Sequence, residues 1–358
     1  MSKKILITAP SLDVKENVSG ISSLVRDIIQ LSHNQFMHFK MGSKDGLKKD
    51  FSWVLKQCII YFNVMGTSVG KKFEIAHVNM GLEKFSIVRD SIAMLFWKRI
   101  CRKKIILHVH GGYYLMQAPT QKWLKYLLDQ SFHLADKIIV LSELEESILS
   151  KRYPGLHFDV FPNAVNIESS VLNKRAYNSS KLRLVFLGRI NKSKGTDTIT
   201  DAMKRLSGYF DRFTLDIYGA GPDKEKWLEE LSEIPGLNYK YHGVTGGEAK
   251  WNILNNSDVF LLPSLHSEGM PIAMLEAMAA GCVVMVSDVA SVRTVIKDQH
   301  NGLLLPVNQP QQLAFQIIKT IDGVYDMESI GSNAKQYISK HYSFESYVTK
   351  LDALYASL

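Results

Sequence analysis

Residues 259–286, VFLLPSLHSEGMPIAMLEAMAAGCVVMV, are the stretch of this sequence that decides its fold class. The stretch opens with the apolar run Val259–Leu262 and closes with a second apolar run at residues 283–286. Between them lie a loop and then a segment with apolar side chains at helical spacing, and Pro271 suits the first position of that helix. A strand, a helix and a second strand in this order predict one βαβ unit of a parallel sheet.

The same alternation of short apolar runs and longer amphipathic stretches extends along almost the whole chain. Predicted strands in the first half lie at residues 4–8, 74–79, 104–108, 137–141 and 157–161. A second series lies at residues 182–187, 213–218, 237–242, 259–262, 283–286 and 302–305. Amphipathic helices are predicted at Gly20–Leu31, residues 121–134 and residues 223–231. Because the strands are apolar without strict alternation, we expect helices on both faces of each sheet, and therefore an α/β fold.

The length of 358 residues is too great for a typical single core and suits two α/β domains. The natural boundary lies where Asn, Ser and Lys collect with little apolar periodicity, just before the strand series restarts. We therefore predict a first domain at residues 1–165, a linker at residues 166–180 and a second domain at residues 181–340. A final helix at residues 341–358 is expected to return toward the first domain.

The composition is that of a folded protein in a reducing compartment. Apolar residues make up 46% of the chain and charged residues 22%, so disorder is not expected. Cys58, Cys101 and Cys282 are far apart and are predicted to be reduced thiols rather than disulfides or zinc ligands. The start is too short in apolar residues for a signal peptide, and no run approaches the ~18 apolar residues that span a bilayer. We expect a cytoplasmic protein.

Positive charge is concentrated in the first half of the chain. Residues 1–165 contain 23 Lys and Arg against 14 Asp and Glu, whereas the remainder contains 20 against 21. This asymmetry predicts an anionic partner, such as a membrane surface, an acidic lipid carrier or a nucleic acid. Nucleic acid fits less well, because no recognition motif accompanies the charge.

Residues 91–104 are the segment that best fits peripheral contact with an anionic membrane. Met94, Leu95, Phe96 and Trp97 are followed there by five Lys and Arg side chains, which is typical of an interface-seeking helix end. The alternative is an ordinary helix with a solvated tip.

Two carboxylates border the start of the helix that follows Val259–Leu262. Glu268 lies in the loop ahead of the helix, and Glu276 lies beside a predicted buried stripe of the helix. That stripe consists of Ile272, Leu275 and Ala279. A carboxylate beside a core is costly unless it meets a donor, and the free N–H groups of a helix start can bind an anion. Carboxylates can accept hydrogen bonds from hydroxyl groups, and backbone amides can bind phosphate. A sugar nucleotide contains both kinds of group, so it fits such a site. The alternative is a helix with a surface Glu near each end.

Two further loops follow predicted strands. After residues 182–187, Arg189 and Lys194 lie where ligands of open parallel sheets bind, and two cations there could neutralise a diphosphate. A solvated basic loop is the alternative. After residues 213–218, the G-x-G of Gly219 and Gly221 lacks the rest of a dinucleotide fingerprint and indicates a tight turn.

Together these motifs resemble the retaining glycosyltransferases of family four, which have the GT-B fold, over almost all of residues 180–345. The motifs are Gly188-Arg189 with Lys194-Gly195, Tyr218-Gly219-Ala220-Gly221-Pro222, Ser267-Glu268-Gly269-Met270-Pro271 with Glu276-Ala277-Met278-Ala279-Ala280-Gly281, and Asn301-Gly302-Leu303-Leu304. The resemblance implies two Rossmann-like parallel-sheet domains facing across a cleft, with the acceptor in the first domain and the donor in the second.

The resemblance also implies roles for the charged residues. Arg189 and Lys194 bind the donor diphosphate, and Glu276 holds the ribose hydroxyls. Glu268 contacts the transferred sugar. His110, which follows the strand at residues 104–108, lies near the sugar and the reaction centre. The catalytic residues that the resemblance implies are Arg189, Lys194, Glu268 and His110.

The resemblance implies that the remaining donor contacts come from the backbone. The amides of Gly269 and Met270, next to Pro271, complete the phosphate and sugar contacts, and Pro271 itself has no N–H to donate. Gly219 belongs to the same donor site. Gly20 stands where the family has a loop with two glycines, so here that loop is reduced. Residues 161–165, FPNAV, resemble the family's hinge motif.

The chain is predicted to need no metal and no cofactor, because it has neither Asp-x-Asp nor a Cys/His cluster of zinc spacing. The resemblance implies transfer of a hexose from a nucleoside-diphosphate sugar, by default a UDP-sugar, with retention of configuration. The expected acceptor is a lipid-linked or oligosaccharide hydroxyl in capsule, O-antigen (lipopolysaccharide) or exopolysaccharide biosynthesis. The alternatives are a nucleotide-sugar epimerase or phosphorylase on the same frame, and a non-catalytic nucleotide-binding homologue.

Overall fold

A computed structural model describes residues 2–13, 16–17, 19–42, 72–167, 177, 181–265, 269–289 and 291–358. The contacts divide the chain into two compact units, each built on its own sheet. The first comprises Met1–Leu12, Ile21–Pro162 and Glu345–Leu358, and the second comprises Asp13–Gly20 and Asn163–Phe344. The C-terminal helix from Glu345 onward is therefore part of the first unit.

The first unit contains a six-stranded parallel sheet with the order β2-β1-β3-β4-β5-β6. Its strands are β1 Lys4–Ala9, β2 Gln35–Lys40, β3 Ile75–Met80, β4 Lys104–Val109, β5 Lys137–Val140 and β6 Asp159–Val160. Its helices are α1 Gly20–Leu31, α2 Lys84–Leu95, α3 Tyr113–Met116, α4 Lys122–Leu134 and α5 Glu143–Arg152. Since β1 pairs with β2 on one side and β3 on the other, the strand order reverses beside β1, which is where open sheets bind ligands.

The second unit repeats this plan with the strand order β12-β11-β10-β7-β8-β9, again all parallel. Its strands are β7 Leu182–Leu187, β8 Phe213–Tyr218, β9 Tyr239–Tyr241, β10 Val259–Leu262, β11 Val283–Ser287 and β12 Leu303–Leu305. Its helices are α6 Thr196–Arg205, α7 Lys224–Ser232, α8 Gly247–Asn256, α9 Ile272–Ala279, α10 Val292–Val295, α11 Pro310–Ile321 and α12 Met327–His341. The last helix of the chain is α13 Phe344–Ala356. The order of this sheet reverses between β7 and β10, so the loops that follow these two strands flank its switch point.

The two parallel sheets confirm the predicted α/β class, but one strand was missed. β2 lies at the edge of its sheet, and its middle four residues are only half-buried. Its sequence, QFMHFK, mixes polar and apolar side chains, because an edge strand covers less of the core than a central one. Among the helices of the described ranges, none is long and apolar enough to cross a membrane.

The core of the first unit corrects the expectation for residues 91–104. α2 continues into a π-helical turn at Phe96–Ile100, and the side chains of Met94 and Trp97 are completely buried. Trp97 packs edge-on against Phe39 with a centroid distance of 5.8 Å. The prediction that Met94 and Trp97 face a lipid interface is therefore wrong, since both residues belong to the core.

The basic residues of the same segment are partly engaged within the unit. The Lys98 ammonium lies 2.5 Å from a carboxylate oxygen of Asp136, and Lys104 lies 3.4 Å from the other oxygen. Cys101 and Cys282 take part in no disulfide bond among the described residues. Cys58 lies outside the described residues.

Candidate active site

The loop after β7 places Arg189 and Lys194 at the carboxyl end of the second sheet. A 3₁₀ turn at Lys192–Lys194 follows this strand, and α6 begins directly after Gly195. The side-chain oxygen of Asn191 accepts a hydrogen bond from the Lys194 amide at 3.2 Å, which closes the turn. Arg189 is exposed and Lys194 is partly buried.

Two glycines allow this loop to touch its neighbours backbone to backbone. Gly195 has a φ of +79°, and a Cβ there would lie 2.0 Å from the carbonyl oxygen of Pro263, directly after β10. Gly219, after β8, has a φ of +139°, and a Cβ there would lie 1.9 Å from the carbonyl oxygen of Gly188. Side chains at either position would separate the loops, so the glycines are required for packing. The contact of Gly219 with a donor stays a prediction.

The segment that leads into α9 is anchored through Asn163. The Asn163 amide donates a hydrogen bond to the carbonyl oxygen of Met270 at 2.7 Å, and both residues are buried. Pro271 precedes the helix as its N-cap, with a ψ of 114°, so the first helical residue is Ile272 rather than Pro271 as predicted. The first N–H groups of α9 have no acceptor within the helix. Glu268 lies outside the described residues.

Buried side chains surround α9 on all sides rather than along one stripe. Every residue from Met274 to Ala279 is buried, whereas Ile272 is only partly buried. The predicted stripe is therefore wrong in its extent, because this helix contacts α8, α12, β10 and β11 and so has packed neighbours on most of its surface. Glu276 is itself 7% exposed, and one of its oxygens pairs with the ammonium of Lys250 at 2.5 Å.

Gly20 groups with the second unit although it begins α1. A Cβ on Gly20 would lie 3.3 Å from Cδ1 of Ile272, the first residue of α9. Gly20 therefore lies against the first residue of α9, which follows Pro271 directly.

His110 follows β4 in the first unit and is held by Asn79. Its Nε2 lies 2.7 Å from the side-chain oxygen of Asn79, a buried residue of β3. The amide nitrogen of the same Asn79 donates to the carbonyl oxygen of Thr8 at 2.7 Å. Since that carbonyl can only accept, Asn79 must present its oxygen to His110, and Nε2 of His110 must carry the hydrogen. Nδ1 of His110 is then an acceptor.

Two further histidines lie behind His110 in the core. Its ring packs against that of His108 with a centroid distance of 4.1 Å and a tilt of 35°, and Nδ1 of His108 lies 3.2 Å from Nε2 of His77. His77 in turn meets the hydroxyl of Tyr355 on α13 at 2.6 Å. Burial lowers the pKa of His110 to about 3 and that of His77 to about 3, so both rings are neutral near pH 7. His108 is completely buried, and its pKa is lowered for the same reason.

The structure brings most predicted donor residues of the second unit to the carboxyl edge of its sheet. Those residues are Arg189, Lys194, Gly219, Gly269, Met270, Pro271 and Glu276, with Gly20 beside them. Sequence reasoning missed Lys250 and Asn79 and gave Asn163 no role in the site. Lys250 and Asn79 pair with partners 26 and 31 positions away, so no local pattern could have found them. Within the described ranges, no group of three or more His, Cys, Asp or Glu side chains could hold a metal ion.

Comparisons with known proteins find a family match over the stretch that contains these loops. Residues 171–337 match the family model Glycosyl transferases group 1. An uncharacterized glycosyltransferase of Methanocaldococcus jannaschii is 27% identical over 75% of this chain and 72% of its own length. A phosphatidyl-myo-inositol mannosyltransferase of Mycobacterium leprae is 30% identical over 44% of this chain and 42% of its own length.

A solved structure extends the likeness beyond that stretch. HepE of Anabaena in complex with UDP-glucose superposes with a TM-score of 0.76 over 99% of this chain and 100% of its own, at 17% sequence identity. The likeness confirms the predicted GT-B fold with its two α/β domains. We call residues 171–337 the glycosyl transferases group 1 stretch, because they match that family model. This stretch includes every candidate donor residue from Arg189 to Glu276, whereas Gly20 and His110 precede it.

Proposed function

We propose that this protein transfers a sugar from a nucleoside-diphosphate sugar, with UDP as the nucleotide, to an acceptor hydroxyl. The observation that carries the proposal is the convergence of three loops, after β7, β8 and β10, at the switch point of one parallel sheet. These loops supply two cations, a helix start and a buried carboxylate within the glycosyl transferases group 1 stretch. The choice of UDP is supported by HepE, whose structure holds UDP-glucose.

Each group has a task in this proposal. Arg189 and Lys194 neutralise the diphosphate and stabilise the charge that grows on it as the glycosidic bond breaks. The amides of Gly269 and Met270 and of the first turn of α9 bind phosphate or sugar oxygens. Glu276 accepts hydrogen bonds from the ribose hydroxyls, and Glu268 contacts the transferred sugar.

The stereochemistry and the electrostatics are part of the same proposal. The acceptor oxygen attacks the anomeric carbon from the face that the nucleotide leaves, the bond from that carbon to the diphosphate breaks, and a departing phosphate oxygen takes the acceptor's proton. The anomeric configuration is therefore retained and no protein nucleophile is required. His110, neutral and held by Asn79, contacts the sugar. Arg189 and Lys194 replace a divalent metal in balancing the diphosphate, and no cofactor takes part.

The acceptor side of the proposal is a lipid-linked or glycan hydroxyl of cell-surface polysaccharide, reached at the inner face of the plasma membrane. In the first unit, Tyr113, Trp123 and Tyr126 expose about half or more of their surface. The Lys84 ammonium lies 5.9 Å from the centre of the Trp123 ring, and Lys125 is also exposed. Tyrosine, tryptophan and lysine together favour the headgroup region of an anionic bilayer. We call these five residues the aromatic-basic patch.

A transfer assay with matched variants tests the function. With UDP-sugars and a lipid-linked acceptor, we expect Glu276→Gln and Lys194→Ala each to lower kcat/KM about 100-fold or more. Lys204→Ala and Glu229→Gln, at exposed positions of α6 and α7, should leave the rate unchanged. EDTA should not inhibit, and NMR should show a product with the configuration of the donor.

Several results would count against the proposal. Near-normal turnover in both Glu276→Gln and Lys194→Ala would remove the site assignment. Epimerised donor or sugar phosphate as the product would favour the alternative enzymes, and tight nucleotide binding without any turnover would favour a non-catalytic homologue.

A further inference from the structure

Lys250 and Glu276 form a buried ion pair between two helices that flank β10. Lys250 lies on α8, which precedes β10, and Glu276 lies on α9, which follows it. The ammonium and a carboxylate oxygen are 2.5 Å apart, and the two side chains are only 12% and 9% exposed. No other hydrogen bond or ion pair of these two side chains occurs in the part of the chain that the structure describes.

A pair in this environment contributes little stability by itself. The neighbours of Glu276 along α9 are buried and apolar: Met274, Leu275, Ala277 and Met278. Removing two charges from water carries a desolvation cost that offsets much of their attraction, and apolar side chains of similar volume often stabilise a core at least as well. The pair therefore indicates a task other than holding α8 to α9.

Only one oxygen of the Glu276 carboxylate is used by the pair, so the other oxygen can accept hydrogen bonds from a ligand. Oε1 of Glu276 accepts the hydrogen bond from Lys250, while Oε2 accepts none from the described residues. Fixing one oxygen also fixes the plane of the carboxylate and therefore the direction of the lone pairs on the other.

We propose that Lys250 is a positioning residue of the nucleotide site, which orients Glu276 so that its free oxygen accepts the ribose hydroxyls. This inference rests on the proposed function, because it takes the ligand of Glu276 to be a ribose. It adds a residue on α8, outside all four sequence motifs, whose contribution is selectivity for ribonucleotides over deoxyribonucleotides.

Calorimetric titration with UDP and 2′-deoxy-UDP tests the role, using the full-length wild type, Lys250→Met, Glu276→Gln and the double variant. We expect the wild type to bind UDP about tenfold or more tightly than 2′-deoxy-UDP, as for a hydrogen bond to a charged group. Lys250→Met should bring this ratio close to one while changing the affinity for 2′-deoxy-UDP little. In the Glu276→Gln background, Lys250→Met should have no further effect on the ratio.

The control is Lys204→Met, which removes an exposed lysine paired with Asp201 on α6 and should keep the wild-type ratio. If Lys250→Met does not fold, Lys250→Arg keeps the charge in a different geometry and should give an intermediate ratio. A wild-type ratio in Lys250→Met or Lys250→Arg, or an equal loss for both nucleotides, would overturn the proposal while leaving the donor site intact. A wild type that binds neither nucleotide would instead overturn the proposed function and this inference with it.

Discussion

At the scale of single residues, the site depends on side chains whose state is set by buried partners. Asn79 illustrates this, because its amide is fixed by the Thr8 carbonyl and it therefore dictates which nitrogen of His110 carries the hydrogen. Burial keeps the pKa of His110 at about 3, so the ring stays neutral through the physiological range. A neutral ring with a defined acceptor nitrogen can recognise a sugar hydroxyl without adding charge.

The substitution Asn79→Asp should change the protonation state of His110. A carboxylate beside Nε2 favours the imidazolium, so the pKa of His110 should rise and the ring should become charged at mildly acidic pH. Transfer activity should then fall as the pH decreases through the new pKa. Nitrogen-15 NMR of labelled histidines should show His110 neutral with hydrogen on Nε2 between about pH 5 and 8 in the wild type.

The matched control for that experiment is Asn252→Asp, which adds the same charge at an exposed position of α8. It should leave the His110 signals unchanged. A wild-type His110 that carries hydrogen on Nδ1, or that titrates near its ordinary value of 6.5, would contradict the assignment.

At the scale of elements, the sequence predicted the central strands well and the edges poorly. β7, β8 and β10 have the predicted bounds, because central parallel strands are continuous apolar runs between loops. β2 was missed, and β6 and β9 are shorter than predicted, since strands at or near a sheet edge are less buried and carry weaker patterns. Trp97 follows the buried Met94 by three positions, so it continues the buried face of α2 into the π-helical turn.

The candidate site was also predicted only in part from the sequence. Loops that carry glycine, lysine and arginine after apolar strands could be recognised, because their motifs are local in sequence. The partners Lys250, Asn79 and Asn163 could not, because each contact depends on how elements distant in sequence pack. Lys250 in particular resembles any helix lysine until α8 is placed against α9.

The aromatic-basic patch on α3, α4 and the start of α2 gives a prediction for membrane binding. In co-sedimentation with vesicles containing anionic lipid, Trp123→Ser with Tyr126→Ser should lower the partition coefficient about 30-fold, at roughly 1 kcal/mol for each aromatic side chain. Binding of the wild type should weaken with salt and with removal of the anionic lipid.

Phe315→Ser is the matched control, because Phe315 on α11 is also about half exposed and has the Lys319 ammonium 4.9 Å from its ring. It should bind vesicles as the wild type does. Equal binding to neutral and anionic vesicles, or no effect of the double variant, would exclude the patch as a lipid-binding surface.

At the scale of the whole molecule, the proposed chemistry is divided between two parallel-sheet units. Residues 1–165 carry the excess of Lys and Arg and the aromatic-basic patch, which suits an acceptor at a charged lipid surface. The second unit contains the glycosyl transferases group 1 stretch and the converging loops at its switch point. We expect these loops to bind a nucleoside diphosphate through Arg189, Lys194 and Glu276.

The binding of a nucleoside diphosphate can be measured by calorimetry. UDP, GDP and ADP are each titrated into the wild-type protein, with and without EDTA. We predict that one of the three, UDP, binds with a Kd of roughly micromolar order, or about −8 kcal/mol, and that EDTA leaves the affinity unchanged. Binding that disappears with EDTA would contradict the proposed balance of the diphosphate by Arg189 and Lys194. The absence of binding to all three nucleotides would contradict the donor site itself.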